Sequence, residues 1–139
     1  MSAAPRRWLI KSEPGAWSWD DQVRVSVEPW TGVRNYQASN NLKAMRLGDT
    51  AFFYHSVDQK LIVGVVEVVR EAFPDPTDPE GRWVAVDVKA VKPVPKPVSL
   101  AQIKAEPRLS EIALVRQSRL SVCPLTEDQW LILCGMAGL

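Results

Sequence analysis

The segment LIVGVVEVV, residues 61–69, constrains the fold of this chain more than any other stretch. Apolar residues, most of them β-branched, occupy both its odd and its even positions, so a strand formed here is apolar on both faces. A strand with one solvated face would alternate apolar and polar residues instead. The segment therefore predicts a strand buried by flanking elements, as in a barrel, and Gly64 within it indicates a bulge or a barrel corner.

Period and capping signals place the other elements around this strand. Further strands are predicted at residues 8–11, 49–55 and 83–91 and in RLSVCPL, while KPVPKPVS reads as a stiff connector. Helices are predicted after four capping residues: Ser18, Asn35 (helix ending at Gly48), Ser99 (helix at residues 100–105) and Thr126, which forms a capping box with Gln129 (helix ending at Gly135). A further helical turn is predicted in LSEIALVRQ. Without βαβ regularity, this predicts one α+β, mainly β domain over residues 1–139: a curled sheet or barrel with short peripheral helices.

Charge and cysteine content exclude several classes of protein. The net charge is +1, from 17 basic and 16 acidic residues, which argues against a protein that wraps DNA nonspecifically. Cys123 and Cys134 form no C-x-x-C pair and His55 is the only histidine, so no zinc site and no other metal or cofactor is expected. The chain start has no signal-peptide pattern and no apolar run is long enough to span a membrane, so we expect a cytoplasmic protein, or a nuclear one if the source has a nucleus.

The six tryptophans are more than a core of this size requires. Trp8, Trp83 and Trp130 lie within periodic elements and are interpreted as core residues. Trp30 lies in a loop between Pro29 and Thr31 and is interpreted as a binding residue. Trp17 and Trp19 are candidates for the rim of a site.

Three polar segments follow predicted strands or open a predicted helix. KSE follows the first strand, FYHS ends a later one, and GVRNYQASNN surrounds the start of the second helix. Amides can read the edge of a base, aromatic rings can stack on its face, and Arg34 near a helix start favours an anion. If the two strand ends open on one side of the sheet, these groups line one pocket.

At these residues the sequence resembles the EVE domain family of the PUA-like superfamily. The resemblance is carried, in order, by WLIKSEP, WTGVRNYQASN, GDTAFFYHS, FPDPT and RLSVCPLT, which span most of the chain. It implies a PUA-like curled β-barrel of five or six strands with peripheral helices. It also implies a non-catalytic module that reads a modified base of DNA or RNA in an aromatic-lined pocket.

Carried over motif by motif, the resemblance also implies a set of ligand-binding residues. They come from the first strand, the loop and helix start, the end of the later strand and the last strand: Lys11, Ser12, Trp30, Val33, Arg34, Asn35, Tyr36, Asn40, His55, Ser56, Leu120 and Ser121.

Two other functions stay open at the level of sequence. Some PUA-like relatives resemble small amidohydrolases of modified nucleosides, and Lys11, Ser12 and Glu13 are a conceivable catalytic set. Against it, an extended strand directs Lys11 and Glu13 to one face and Ser12 to the other. A protein-binding role is the remaining alternative. The expected state is a monomer, and neither the base nor the polymer, DNA or RNA, follows from the sequence.

Overall fold

The computed structural model describes residues 6–139, which form a mixed six-stranded sheet with short helices on both faces. Predictions made for residues 1–5, including the absence of a signal peptide, lie outside this part. The strands are β1 (Arg7–Ser12), β2 (Val27–Pro29), β3 (Thr50–His55), β4 (Leu61–Pro74), β5 (Val84–Ser99) and β6 (Val122–Leu125). The helices are α1 (Trp19–Val25), α2 (Tyr36–Ala44), α3 (Leu100–Ala105), α4 (Ala113–Arg116) and α5 (Glu127–Ala137), with a 3₁₀ turn at Pro107–Leu109.

The strand order is β2-β5-β4-β3-β1-β6, so β2 and β6 are the two edges of the described sheet. Only β1 and β3 pair in parallel; the other neighbours are antiparallel. The α+β class and the outer helices are confirmed, but the sheet is not a closed barrel. The parallel register places Ser12 beside His55, so the ends of β1 and β3 lie on the same side of the sheet, which is the arrangement needed for their polar residues to meet at one pocket.

Both faces of β3 are buried, because helices pack on either side of the sheet. The ring of Phe52 stacks on Trp130 of α5 with 4.1 Å between centroids. On the opposite face, Phe53 meets Trp19 of α1 edge-to-face at 5.3 Å. Successive strand residues point to opposite faces, so α5 and α1 lie on opposite sides of the sheet. This arrangement explains why the central strands are apolar throughout.

Gly64 marks a bulge in β4, as the sequence predicted. The register with β3 shifts between Phe53 and Tyr54, and the register with β5 shifts on either side of Gly64. The indole of Trp19 lies where a side chain at Gly64 would be, 2.5 Å from an ideal Cβ. The glycine therefore admits α1 to the sheet surface at this point.

The predicted caps are present, but two predicted helix ends are wrong. Capping boxes join Ser18 to Asp21, Ser99 to Gln102 and Thr126 to Gln129, and Asn35 caps α2. Helix α2 ends at Ala44 rather than at Gly48, which lies in the turn before β3.

Helix α5 continues through Gly135 to Ala137 and ends at Gly138. Gly138 adopts the left-handed conformation, with φ 79°, and its N–H reaches the carbonyls of Cys134 and Gly135. The prediction of a helix end at Gly135 is wrong, because the sequence alone does not show which glycine adopts the left-handed conformation.

The segment KPVPKPVS was predicted to be a connector, and this prediction is wrong. The segment forms the second half of β5. Pro93 pairs with Gly64, and Val98 with Ile62. The prolines recur every second residue, so their missing N–H sites face the same side of an extended strand. β2 pairs with β5 only at residues 87–89, so β4 is the one neighbour along the proline segment of the described sheet.

Within residues 6–139, no helix is long and apolar enough to cross a membrane. The same residues contain no group of three or more His, Cys, Asp or Glu side chains arranged to hold a metal ion.

Candidate functional site

A cavity of about 440 Å³ lies between the end of β1, the loop that follows it and the loop after β2. Its size is that of a site for a small ligand. Six of the twelve predicted residues line it: Lys11, Ser12, Trp30, Val33, Arg34 and Ser121. Seven further lining residues were not among them: Glu13, Ala16, Trp17, Glu28, Pro29, Thr31 and Gly32. The role of these residues in ligand binding stays a prediction.

The β1 wall is fixed by hydrogen bonds to neighbouring segments. The Lys11 backbone N–H donates to the Ser121 carbonyl at 2.9 Å, which brings β6 residues to the cavity. The Lys11 Nζ donates to the Ser118 carbonyl at 2.8 Å. The Ser12 hydroxyl donates to the Trp17 carbonyl and so holds the loop after β1. Because the Lys11 ammonium is partly buried, its pKa is lowered, and the electrostatic interaction with Cys123 opposes this shift.

Trp30 is both a wall of the cavity and a core residue. Its backbone N–H donates to the Val86 carbonyl at 2.7 Å, and its ring meets Phe53 edge-to-face at 5.6 Å. Only 8% of the residue is exposed. The indole is thus held in one orientation before any ligand arrives, but truncating it would also open the core.

The buried carboxylate of Asp75 organises the loop after β2. One oxygen accepts the Gly32 N–H at 2.8 Å and the Arg34 Nη1 at 3.0 Å; the other accepts the N–H and hydroxyl of Thr77. Burial alone would raise the pKa of Asp75, but these hydrogen bonds outweigh it and lower the pKa to about 2. Gly32 has φ +82°, a conformation that the turn requires. The FPDPT motif contains Asp75, but no local pattern in it indicates this role.

Glu28 places a carboxylate at the cavity in addition to that of Glu13, and the sequence did not indicate it. The residue is half-buried on β2, two positions before Trp30. Burial raises its pKa, and the neighbouring charge of Asp87 raises it further. With Lys11, Arg34 and Glu13 the cavity therefore presents charges of both signs beside the rings of Trp17 and Trp30.

His55 supports the site from outside the cavity. Its Nε2 accepts the Trp19 backbone N–H at 2.9 Å, and its Nδ1 lies 2.6 Å from the Gln59 Oε1. Because an N–H donates to Nε2, the ring proton belongs on Nδ1, facing the amide oxygen. The histidine is 7% exposed and has both nitrogens engaged within the protein. It therefore positions the start of α1. Trp19, which was a candidate for the rim of the site, is a buried core residue.

The other predicted residues do not line the cavity. The side chain of Asn35 accepts the Ala38 N–H as a helix cap, and the Ser56 N–H donates to the Ser12 carbonyl. Leu120 is buried, and Asn40 is exposed on α2. Tyr36 lies outside, with its ring against Trp83.

The arrangement does not favour the hydrolase alternative. Lys11, Ser12 and Glu13 all line the cavity, but the Ser12 hydroxyl and the Lys11 ammonium each donate to a main-chain carbonyl. Among the described residues, neither hydrogen-bonds to the other or to Glu13, so no nucleophile is paired with a base. The cavity can bind and orient a flat polar ligand without an assembled catalytic set.

Comparison with known proteins gives one family. The model of the EVE domain matches residues 6–136. Thymocyte nuclear protein 1 of Gallus gallus is 36% identical over 88% of this chain, and that of Homo sapiens is 35% identical over 88%. The match covers 65% of the Gallus gallus protein and 70% of the human one, so this chain spans about two thirds of their length.

Solved structures agree with this assignment. Rpa0253 from Rhodopseudomonas palustris is 55% identical, with a TM-score of 0.91 over 96% of this chain and 93% of that one. The human THYN1 protein in complex with 5-methylcytosine-containing DNA is 32% identical, with a TM-score of 0.87 over 96% and 99% of the two chains.

Proposed function

This chain belongs to the EVE domain family, and we propose on that basis that it is a non-catalytic module that binds nucleic acid carrying a modified base. The human THYN1 protein, similar over nearly the whole of this chain, forms a complex with 5-methylcytosine-containing DNA. The ligand proposed for the cavity is a base turned out of its strand.

The observation that carries this proposal is the make-up of the cavity wall. Trp17 and Trp30 supply flat apolar surface, and Lys11, Arg34 and Glu28 supply donors and acceptors around it. A base needs both, since its faces stack and its edge forms hydrogen bonds. The volume of about 440 Å³ fits a small aromatic ligand.

We further propose that the protein acts as a monomer and prefers single strands or weakened base pairs. Turning a base out of a duplex costs about a few kcal/mol, and a single strand avoids most of this cost. The relative supports DNA as the polymer, and RNA is a second candidate. Cys123 and Cys134 are free thiols, in keeping with the cytoplasmic location predicted from the sequence.

Equilibrium binding to matched oligonucleotides tests the proposal. The oligonucleotides are fluorescently labelled and identical except for one central base, cytosine or 5-methylcytosine, in single-stranded and duplex DNA and in RNA. We expect tighter binding to the modified single strand. Equal affinity for every base, with modified bases at other positions included in the panel, would contradict a base-reading function.

A further inference from the structure

An exposed aromatic surface lies beside the cavity without lining it. Tyr36, the first residue of α2, is 67% exposed, the highest value among the exposed large hydrophobic residues of the described chain. Its ring lies against that of Trp83, with 4.9 Å between centroids and 39° between planes. One side of the tyrosine ring is thus supported by protein while much of the ring meets solvent.

The support beneath this tyrosine is rigid. Trp83 is half-buried. Its backbone N–H donates to the Asp78 carboxylate at 2.8 Å, and its backbone carbonyl accepts the Asp75 N–H at 3.0 Å. Asp78 also accepts the N–H groups of Glu80 and Arg82, which closes the loop before β5. A ring on a fixed base loses little freedom when a ligand stacks on it.

Arg34 connects this surface to the cavity. It lines the cavity, and its guanidinium carbon lies 6.0 Å from the centre of the Trp83 ring. Nη1 bonds to Asp75 and the Val33 carbonyl, and Nη2 bonds to Thr77. Among the described residues, the Nε–H and one Nη2–H have no hydrogen-bond partner. The side chain is 39% exposed, so these donors can reach a ligand that passes from the cavity to the tyrosine.

We propose that Tyr36, supported by Trp83, stacks on the nucleotide adjacent to the modified base, with Arg34 contacting the phosphate between them. The inference rests on the proposed function and adds a second subsite to it. Aromatic stacking on an unpaired base is tolerant of its identity, and an arginine beside the ring suits the backbone charge. The partner is therefore a single-stranded flank rather than an isolated nucleoside.

The test combines a protein variant with an abasic flank. Single-stranded oligonucleotides carry one central 5-methylcytosine and an abasic site on its 5′ side, on its 3′ side, or on neither. One of the two abasic sites should weaken binding of the unaltered protein about 5- to 100-fold. With Tyr36→Ala the affinity for the intact strand should fall by a similar factor, and the abasic site should cause no further loss. Tyr36→Phe keeps the ring and should behave like the unaltered protein, and Leu131→Ala, an exposed residue on α5, is a surface control.

Two outcomes would overturn the inference. Either abasic flanks have no effect on the unaltered protein, or they weaken Tyr36→Ala as much as they weaken the unaltered protein. The ratio of affinities for 5-methylcytosine and cytosine is measured in the same series and separates the two proposals. Tighter binding of 5-methylcytosine than of cytosine by the unaltered protein, with no effect of either abasic flank on that protein, would contradict only the second subsite. A ratio of one in the unaltered protein would contradict base reading itself.

Discussion

Several side chains at this site stabilise the fold in addition to their proposed role in binding. Asp75 ties the Gly32–Arg34 loop to the loop before β5, and His55 holds the start of α1. Trp30 packs on Phe53 while facing the cavity. For this reason an alanine at Trp30 would lower stability by about 3–5 kcal/mol as well as affinity. The variants that follow separate the two effects.

Asp75 should make the protein sensitive to acid. Hydrogen bonds lower its pKa in the folded state from the usual 3.8 to about 2, so folding favours the charged form. The resulting stabilisation, about 2 kcal/mol, is present above pH 4 and is lost as the pH falls toward 2. Unfolding free energies of the unaltered protein and Asp75→Asn, measured by urea titration from pH 7 to pH 2, should therefore differ most near neutrality and converge in acid.

The matched control is Asp58→Asn, at an exposed position in the turn after β3. It should follow the unaltered protein at every pH. A difference between the unaltered protein and Asp75→Asn that stays constant down to pH 2 would show that the carboxylate does not titrate as described.

Lys11 should contribute to affinity and little to stability. Its Nζ can turn from the Ser118 carbonyl toward a ligand, and its partly buried charge lies at the cavity wall. Lys11→Met keeps the apolar stem and removes the charged donor, so we expect about tenfold weaker binding to a 5-methylcytosine strand with an unchanged melting temperature. The control is Lys104→Met, at an exposed position of α3. Equal affinities of the two variants would remove Lys11 from the site.

At the scale of elements, the signals for bulges and helix starts predicted the structure correctly, whereas the signals for helix ends and the proline-rich segment did not. Ser18, Ser99 and Thr126 are local N-cap signals, and a cap depends only on the next three residues. The proline-rich half of β5 could not be recognised, because a strand with a single neighbour tolerates proline and the sequence does not show which neighbours a strand has. The polar end of β1 lines the cavity, as predicted, but the polar end of β3 does not. The Glu28 wall and the Asp75 anchor depend on long-range pairing that no local pattern encodes.

Two glycines in different elements should respond oppositely to alanine. At Gly64 in β4 a Cβ would lie 2.5 Å from the Trp19 ring, so Gly64→Ala should lower the unfolding free energy by about 1–3 kcal/mol. At Gly135 within α5 no atom lies within 4 Å of the added carbon, and Gly135→Ala should raise it by about 0.4–1 kcal/mol. Chemical denaturation of both variants checks this. Stabilisation by Gly64→Ala would contradict the close contact between α1 and the sheet.

For the whole molecule, the near-neutral charge limits how the polymer is held. The net charge is +1, and Arg34, beside the cavity, is paired with Asp75. If two or three phosphates are contacted, log K against log salt for a single strand should have a slope of roughly −1 to −2. Anisotropy titrations between about 50 mM and 300 mM salt measure this slope. A slope of about −5 or steeper would indicate a backbone-dominated interface rather than base reading.

The central claim, that a modified base occupies the cavity lined by Trp17 and Trp30, is tested most directly through the indole N–H signals. Titration of ¹⁵N-labelled protein with a short strand containing 5-methylcytosine should shift the signals of Trp17 and Trp30, which line the cavity. Those of Trp8 and Trp130 should stay in place, because both are core residues outside the cavity lining. The same strand with cytosine should shift the cavity signals less at equal concentration. Shifts confined to Trp8 and Trp130, or identical shifts with both strands, would contradict the account.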